Sequence, residues 1–470
     1  MTKRLLKDGV IYGVSSILSQ GIPVVIVPIY TRILAPDSYG CLDILAVFAS
    51  LINLTVALEI SQGLARHYAE AQSEYEKIKY ASSSMWFTVG AYFLFAFFSL
   101  LFSESLTLLF LDSLQWKYTF QIAIIAMAGN GIFYFLQNLL RWKLQPKRYA
   151  MASIVYVIVY SGFGVFFVAG LKTGIVGVFF GQIIGAITGG IFAWCSAREM
   201  YRILFAWDKC KQMLHYSLPL VPSSIFVLVA NYIDRIAIKS LMTLSDVGVY
   251  GIGFRFASVV NLAMVGFYSA LTPLIYQYHQ KESTPKELAR IFRYCLSGTI
   301  PLIIGISLFS KEILWIFTTP EYYAAWTVIP ILAGSSVLIR MYVFAPGLDI
   351  AKKTKTIALI NMIAAGVNGA LNFLLIPFMG INGAAVATLI SAVVMFWGYM
   401  HLSQKYYHVV HQWRDILISS VIAVMVIVGG IYYCRNGDNF TMGIDACKGT
   451  AFIISSLFII WILTRDMRKR

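Results

Sequence analysis

Charge is what this sequence has least of. Aspartate, glutamate, lysine and arginine make up only 13% of the 470 residues, about half the ~25% usual in a soluble domain. With 59% hydrophobic residues and a mean hydropathy of +0.73, the chain has more apolar surface than a water-soluble fold can hide. Its six cysteines form no C-x-x-C pair, which removes the usual zinc and thiol-redox motifs. Cys434 and Cys447, flanking one connection, are the only disulfide candidates. His408 and His411 read as a pair beside a membrane span, not as a metal site. No G-x-x-x-x-G-K-[ST] phosphate loop occurs, so direct ATP coupling has no motif to rest on. The longest predicted external connections, 104–117 and 434–448, leave no room for a catalytic domain. An enzyme is therefore not expected, and neither catalytic residues, a cofactor nor a metal are assigned.

What is present is a succession of apolar runs long enough to cross a ~30 Å hydrocarbon layer as helices. There are about fourteen, beginning at 10–33 and 42–63, including 248–272 and 326–348, and ending at 416–433 and 449–464. They lack the two-residue alternation of a membrane barrel, so an all-α integral membrane fold is predicted. The first run has no small-residue cleavage site and reads as a retained helix.

A formal net charge of +15 would point to nucleic acid in a soluble protein. Here the basic residues gather in every second loop, for example Arg141, Lys143, Lys147 and Arg148, or Lys352, Lys353 and Lys355. That is the positive-inside pattern of an integral membrane protein, with both termini inside and no nucleic-acid partner.

An internal repeat organises the chain. Phe48-Ala-Ser-Leu-Ile-Asn53 recurs as Phe256-Ala-Ser-Val-Val-Asn261, and at the same offset Gly40 corresponds to Gly248. Six spans per repeat give both halves one orientation, related by a pseudo-two-fold axis along the membrane normal. The predicted arrangement is a six-helix lobe at 1–205, a second at 206–405, a central cavity between them, and an appended helix pair at 406–470. In the sixth span Gly177, Gly181, Gly185 and Gly189 form a bare stripe, read as a helix-packing face.

Ionisable residues inside apolar spans cost about 2.5–3.5 kcal/mol each on insertion scales, so they usually face water or a partner. Arg32, Arg235, Lys239, Arg255 and Arg340 are the candidate substrate-binding cations, with Arg340 flanked by Leu338, Ile339 and Met341. Asp43, Glu59 and Asp234 are candidate coupling groups or charge partners. An excess of cations in a cavity suits an anion such as a diphosphate.

Three segments then carry a resemblance: Tyr30-Thr-Arg-Ile-Leu-Ala-Pro-Asp-Ser-Tyr-Gly40; Ser217-Leu-Pro-Leu-Val-Pro-Ser-Ser224; and Asp234-Arg235 followed by Ser245-Asp-Val-Gly-Val-Tyr-Gly251. In this ordered combination the chain resembles the O-antigen and capsule repeat-unit flippases of the multidrug/oligosaccharidyl-lipid/polysaccharide exporter superfamily. The resemblance implies a two-lobed transporter that carries undecaprenyl-diphosphate-linked oligosaccharide between leaflets, with membrane lipid and other polysaccharide assembly proteins as partners. Fourteen spans resemble the lipid II flippase branch, which stands as an alternative together with a multidrug exporter. A polytopic polysaccharide polymerase is the remaining rival.

Overall fold

The computed structural model describes residues 2–261, 264, 271, 275, 278–436 and 442–465, without the side chains of 2–14, 16, 20, 433–436 and 442–445. The chain is helical, with no strand among the described residues. In hydrocarbon every backbone N–H and C=O needs an internal partner, and an α-helix supplies one within each segment.

The chain divides into two compact units. The first comprises Met1–Ile236 with Thr243–Gly248, and the second Ala237–Met242 with Val249–Arg470. Helices of the first half of the chain are α1 (Thr2–Thr31), α2 (Pro36–Thr55), α3 (Ile60–Glu70), α4 (Glu74–Leu101), α5 (Ser103–Leu111), α6 (Lys117–Trp142), α7 (Pro146–Val165), α8 (Val176–Ala197) and α9 (Trp207–Ser217). Two more, α10 (Leu220–Leu241) and α11 (Leu244–Ala257), each contribute to both units. The second unit continues through Thr284–Leu308, Ile329–Arg340, Thr354–Met379, Ile381–Ser403, Trp413–Asn436 and Met442–Thr464.

Eleven of the described helices are long and apolar enough to span a membrane, or twelve if Pro320–Thr327 and Ile329–Phe344, bent by 52° at their junction, count as one. The first predicted span appears as the shorter apolar stretch Ile17–Thr31. The eighth, 248–272, runs into residues outside the described set. Cys447 carries a free thiol, while the side chain of Cys434 lies outside the described residues.

Small residues decide how closely the first unit packs. A Cβ on Gly181 would lie 2.6 Å from both the Gly164 nitrogen and the Tyr160 carbonyl oxygen, and one on Gly185 would lie 2.8 Å from the Tyr160 Cβ. At Gly181 and Gly185 the glycine stripe of α8 is thus filled by α7, and at Gly189 by the Phe133 ring of α6 and the Tyr156 side chain of α7. A second close approach joins the repeat partners. A Cβ on Gly40 would collide with the Leu244 carbonyl, and one on Gly248 with the Pro36 carbonyl. Because 36 and 244 stand at the same offset as 40 and 248, the contact is reciprocal, as two-fold-related surfaces require.

Candidate functional site

The second predicted span, 42–63, is interrupted. Helix α2 ends at Thr55 and α3 begins at Ile60, and between them Leu58 and Glu59 adopt left-handed backbone angles, φ 50° and φ 53°. Neither is glycine, so each conformation costs of order 1–3 kcal/mol and must be held by its surroundings. Non-helical backbone at membrane depth is tolerated where it is buried in protein or lines a water-filled cavity. Glu59 meets that condition. Its half-buried carboxylate accepts a hydrogen bond from the Ser224 hydroxyl at 3.0 Å, tying the break to the start of α10.

Glu59 lines a cavity of about 610 Å³ enclosed by α2, α3, α6 and α10. A neighbouring cavity of about 570 Å³ lies among α1, α2, α6 and α7. Asn53, Tyr134 and Arg141 line both, so the two are adjoining chambers within the first unit. Each falls in the ~300–1,000 Å³ range of small-molecule sites.

Helix α6 builds most of the shared wall. Its residues Asn130, Tyr134, Gln137 and Arg141 recur at three- and four-residue spacing and so lie on one face, and all four line the smaller chamber. Asn138 and Arg141 turn toward the larger one. Internal hydrogen bonds hold part of this surface. The Asn130 amide donates to Gln182 at 3.3 Å, Gln137 donates to the Ser153 hydroxyl, and the Tyr92 hydroxyl donates to Asn53 at 3.3 Å. Among the described residues lining these chambers Arg141 is the single cation and Glu59 the single carboxylate. The described lining is therefore polar but close to neutral. Their dominant chemistry is amide and hydroxyl.

The eight residues singled out in the sequence occupy varied environments. Arg32 is exposed in the turn between α1 and α2, and Asp43 is buried on α2. Asp234 and Arg235, adjacent on α10 and only 4% and 6% exposed, form a bidentate ion pair with both contacts at 3.0 Å. That pairing neutralises Arg235 locally. Lys239 on α10 and Arg255 on α11 are half-buried. Arg340 is exposed and closes the helix Ile329–Arg340, where a cation also complements the helix dipole. Of the eight, Glu59 alone is found in the described lining, and only in that of the larger chamber. Arg141, which reads in the sequence as one of a group of cytoplasmic loop cations, is instead a cavity residue in the last turn of α6. The signal that finds it is the polar periodicity 130, 134, 137, 141 within an otherwise apolar helix.

Polar periphery is more conventional. Lys209 of α9 reaches Glu76 at 2.7 Å, and this partner raises the pKa of its ammonium. Glu104 lies 2.5 Å from Lys117, which lowers the pKa of its carboxyl. No group of three or more His, Cys, Asp or Glu able to hold a metal occurs among the described residues.

A helical membrane bundle with polar chambers in its first unit and a sequence repeated across its halves fits a polytopic membrane transporter. The chain belongs to the polysaccharide biosynthesis protein family, which it matches over residues 5–279. Residues 219–374 also match the MatE family. Among curated proteins it is similar to the probable low-salt glycan biosynthesis flippase Agl15 of Haloferax volcanii, with 27% identity over 48% of this chain and 49% of that protein. The shared region thus spans about half of Agl15. The Lsg locus putative protein 1 of Haemophilus influenzae is 24% identical over 81% of this chain and 95% of its own length. A solved structure of the lipid II flippase MurJ in an inward closed conformation superposes with a TM-score of 0.75 at 18% identity, covering 97% of this chain and 99% of that one.

Proposed function

We propose that the chain moves an undecaprenyl-diphosphate-linked oligosaccharide repeat unit from the cytoplasmic to the periplasmic leaflet of a bacterial inner membrane by alternating access. The observation that carries this reading is a pair of amide- and hydroxyl-rich chambers inside an apolar helical bundle of the polysaccharide biosynthesis family. A polar glycan head group needs such a path, while its polyprenyl tail remains in lipid. Two six-helix lobes, at 1–205 and 206–405, would rock about a central cavity. Both termini would face the cytoplasm, in keeping with the basic loops.

In this scheme Arg32, Arg235, Lys239, Arg255 and Arg340 serve the diphosphate. Asp43 and Glu59 act as coupling or partner carboxylates, and Asp234 tempers Arg235. With the cell interior ~100 mV negative, moving two negative charges outward is favoured by about 4–5 kcal/mol, at about 2.3 per charge. No nucleotide is then required for direction. The fold likeness to a lipid II flippase over nearly the whole chain favours, as a second reading, a peptidoglycan precursor as cargo.

Deleting the gene is expected to make a lipid-linked glycan accumulate on the cytoplasmic side, and mass spectrometry of that lipid separates a repeat unit from a peptidoglycan precursor. Arg340→Ala and Arg255→Ala, expressed at normal levels, are expected to abolish complementation. Normal surface polysaccharide in both variants removes these residues from the mechanism.

A further inference from the structure

The two chambers of the first unit have a composition that an anion site alone does not explain. Among the described residues that line them Arg141 is the one cation, yet their walls carry Asn53, Asn130, Gln137, Asn138 and Asn231. A primary amide offers donors and acceptors together, which matches sugar hydroxyls, themselves both donor and acceptor. It offers little to a lipophilic cation. Such groups are costly to keep inside a bundle unless something polar meets them. The rings of Tyr134, Tyr149 and Tyr156 stand in the same walls, and an aromatic ring supplies the apolar surface against which the C–H face of a pyranose packs.

Arg141 and Asn53 sit where the chambers adjoin, since each lines both. Asn53 closes the hexapeptide that the chain repeats at Asn261. The α2–α3 break adds a second, independent observation. Two strained non-glycine residues, Leu58 and Glu59, make the break, and Glu59 stands in the wall of the larger chamber, locked onto Ser224. Strain of this kind clusters at ligand clamps and switch regions.

We propose that these chambers form a glycan subsite: Asn53 and Asn138 bind hydroxyl or acetamido groups of the sugars, and Arg141 holds phosphate oxygens beside the first sugar through its planar fork. The proposal rests on the flippase reading above. It assigns sugar recognition to the first unit, and to residues other than the five intramembrane cations named for the diphosphate. It also assigns discrimination between a bare polyprenyl diphosphate and a glycan-bearing one to neutral amides.

The test uses the full-length protein in lipid nanodiscs with two probes, undecaprenyl diphosphate and the lipid-linked glycan extracted from cells lacking this transporter. Wild type is expected to bind the glycan-bearing lipid at least ten-fold more tightly than undecaprenyl diphosphate. The double variant Asn53→Ala/Asn138→Ala is expected to lose that preference while binding undecaprenyl diphosphate as wild type does, which also shows that it is folded. Arg141→Gln is expected to weaken both probes about ten-fold, with partial recovery in Arg141→Lys. Wild-type preference in the double asparagine variant, or an equal loss of both probes in it, overturns the subsite. Unchanged binding in Arg141→Gln overturns the phosphate role. If deleted cells accumulate no lipid-linked glycan, or wild type binds neither probe, the flippase reading itself fails and the subsite falls with it.

Discussion

Helices α6 and α8 both carry a stripe of residues at three- to four-residue spacing, and the two stripes do opposite things. On α8 the stripe is glycine, and α7, joined at Gly189 by Phe133 of α6, enters it until a single added methyl group would clash. On α6 the stripe is Asn130, Tyr134, Gln137 and Arg141, and it borders open, polar chambers. Spacing alone says only that residues share a face. The chemistry of the face decides whether it closes against protein or stays wet.

The dry face should be the more fragile. Gly181→Leu forces a side chain into the Gly164 and Tyr160 backbone, and overpacking that rigid backbone cannot relieve costs more than about 3 kcal/mol. We expect loss of the monodisperse peak in size-exclusion chromatography. Next comes the reciprocal contact between repeat partners. Gly40→Val and Gly248→Val should each lower the melting temperature through a similarly large overpacking cost, more than about 3 kcal/mol, and by similar amounts because the clash at each is with a backbone carbonyl of the other segment.

A third prediction concerns a buried ring outside both stripes. His411 packs edge-on against Phe292 and Trp413, and burial lowers its pKa from 6.5 to about 4. A depressed pKa means that folding favours the neutral ring. The stabilisation is present above pH 6.5 and fades as the pH falls toward 4, amounting to a loss of about 2 kcal/mol at pH 5. Thermal melts between pH 5 and 7 should show this slope, and His411→Phe should flatten it. The smallest effect belongs to the wet face. Tyr134→Ala, on a ring 53% exposed, should change stability by less than about 1 kcal/mol while lowering transport in the complementation assay.

The all-helical membrane fold was legible because runs of about 20 apolar residues have few other physical solutions. The glycine stripe was legible too, since it has little chemistry beyond packing. The break at Leu58 and Glu59 was not, because neither glycine nor proline marks it and only the surrounding contacts hold the strained angles. Proline does stand near the other break, at Pro320 and Pro330, but a 52° bend between two helices needs the packing of both to be seen. Arg141 was hidden by its neighbours, because a cation followed by Lys143, Lys147 and Arg148 looks like the start of a cytoplasmic loop. Asp234 and Arg235 could be listed as charges from the sequence. Their mutual pairing depends on rotamers that only three dimensions supply.

Whether the α6 face is wet and whether the cargo passes along it are both read by one labelling experiment. In a variant whose native cysteines are replaced by serine, Tyr134→Cys should react readily with a charged, water-soluble thiol reagent, whereas Gly185→Cys, where it folds, should not. Adding the lipid-linked glycan should slow labelling at 134 at least five-fold. An unreactive cysteine at 134, or one whose reaction the glycan leaves unchanged, would contradict the account.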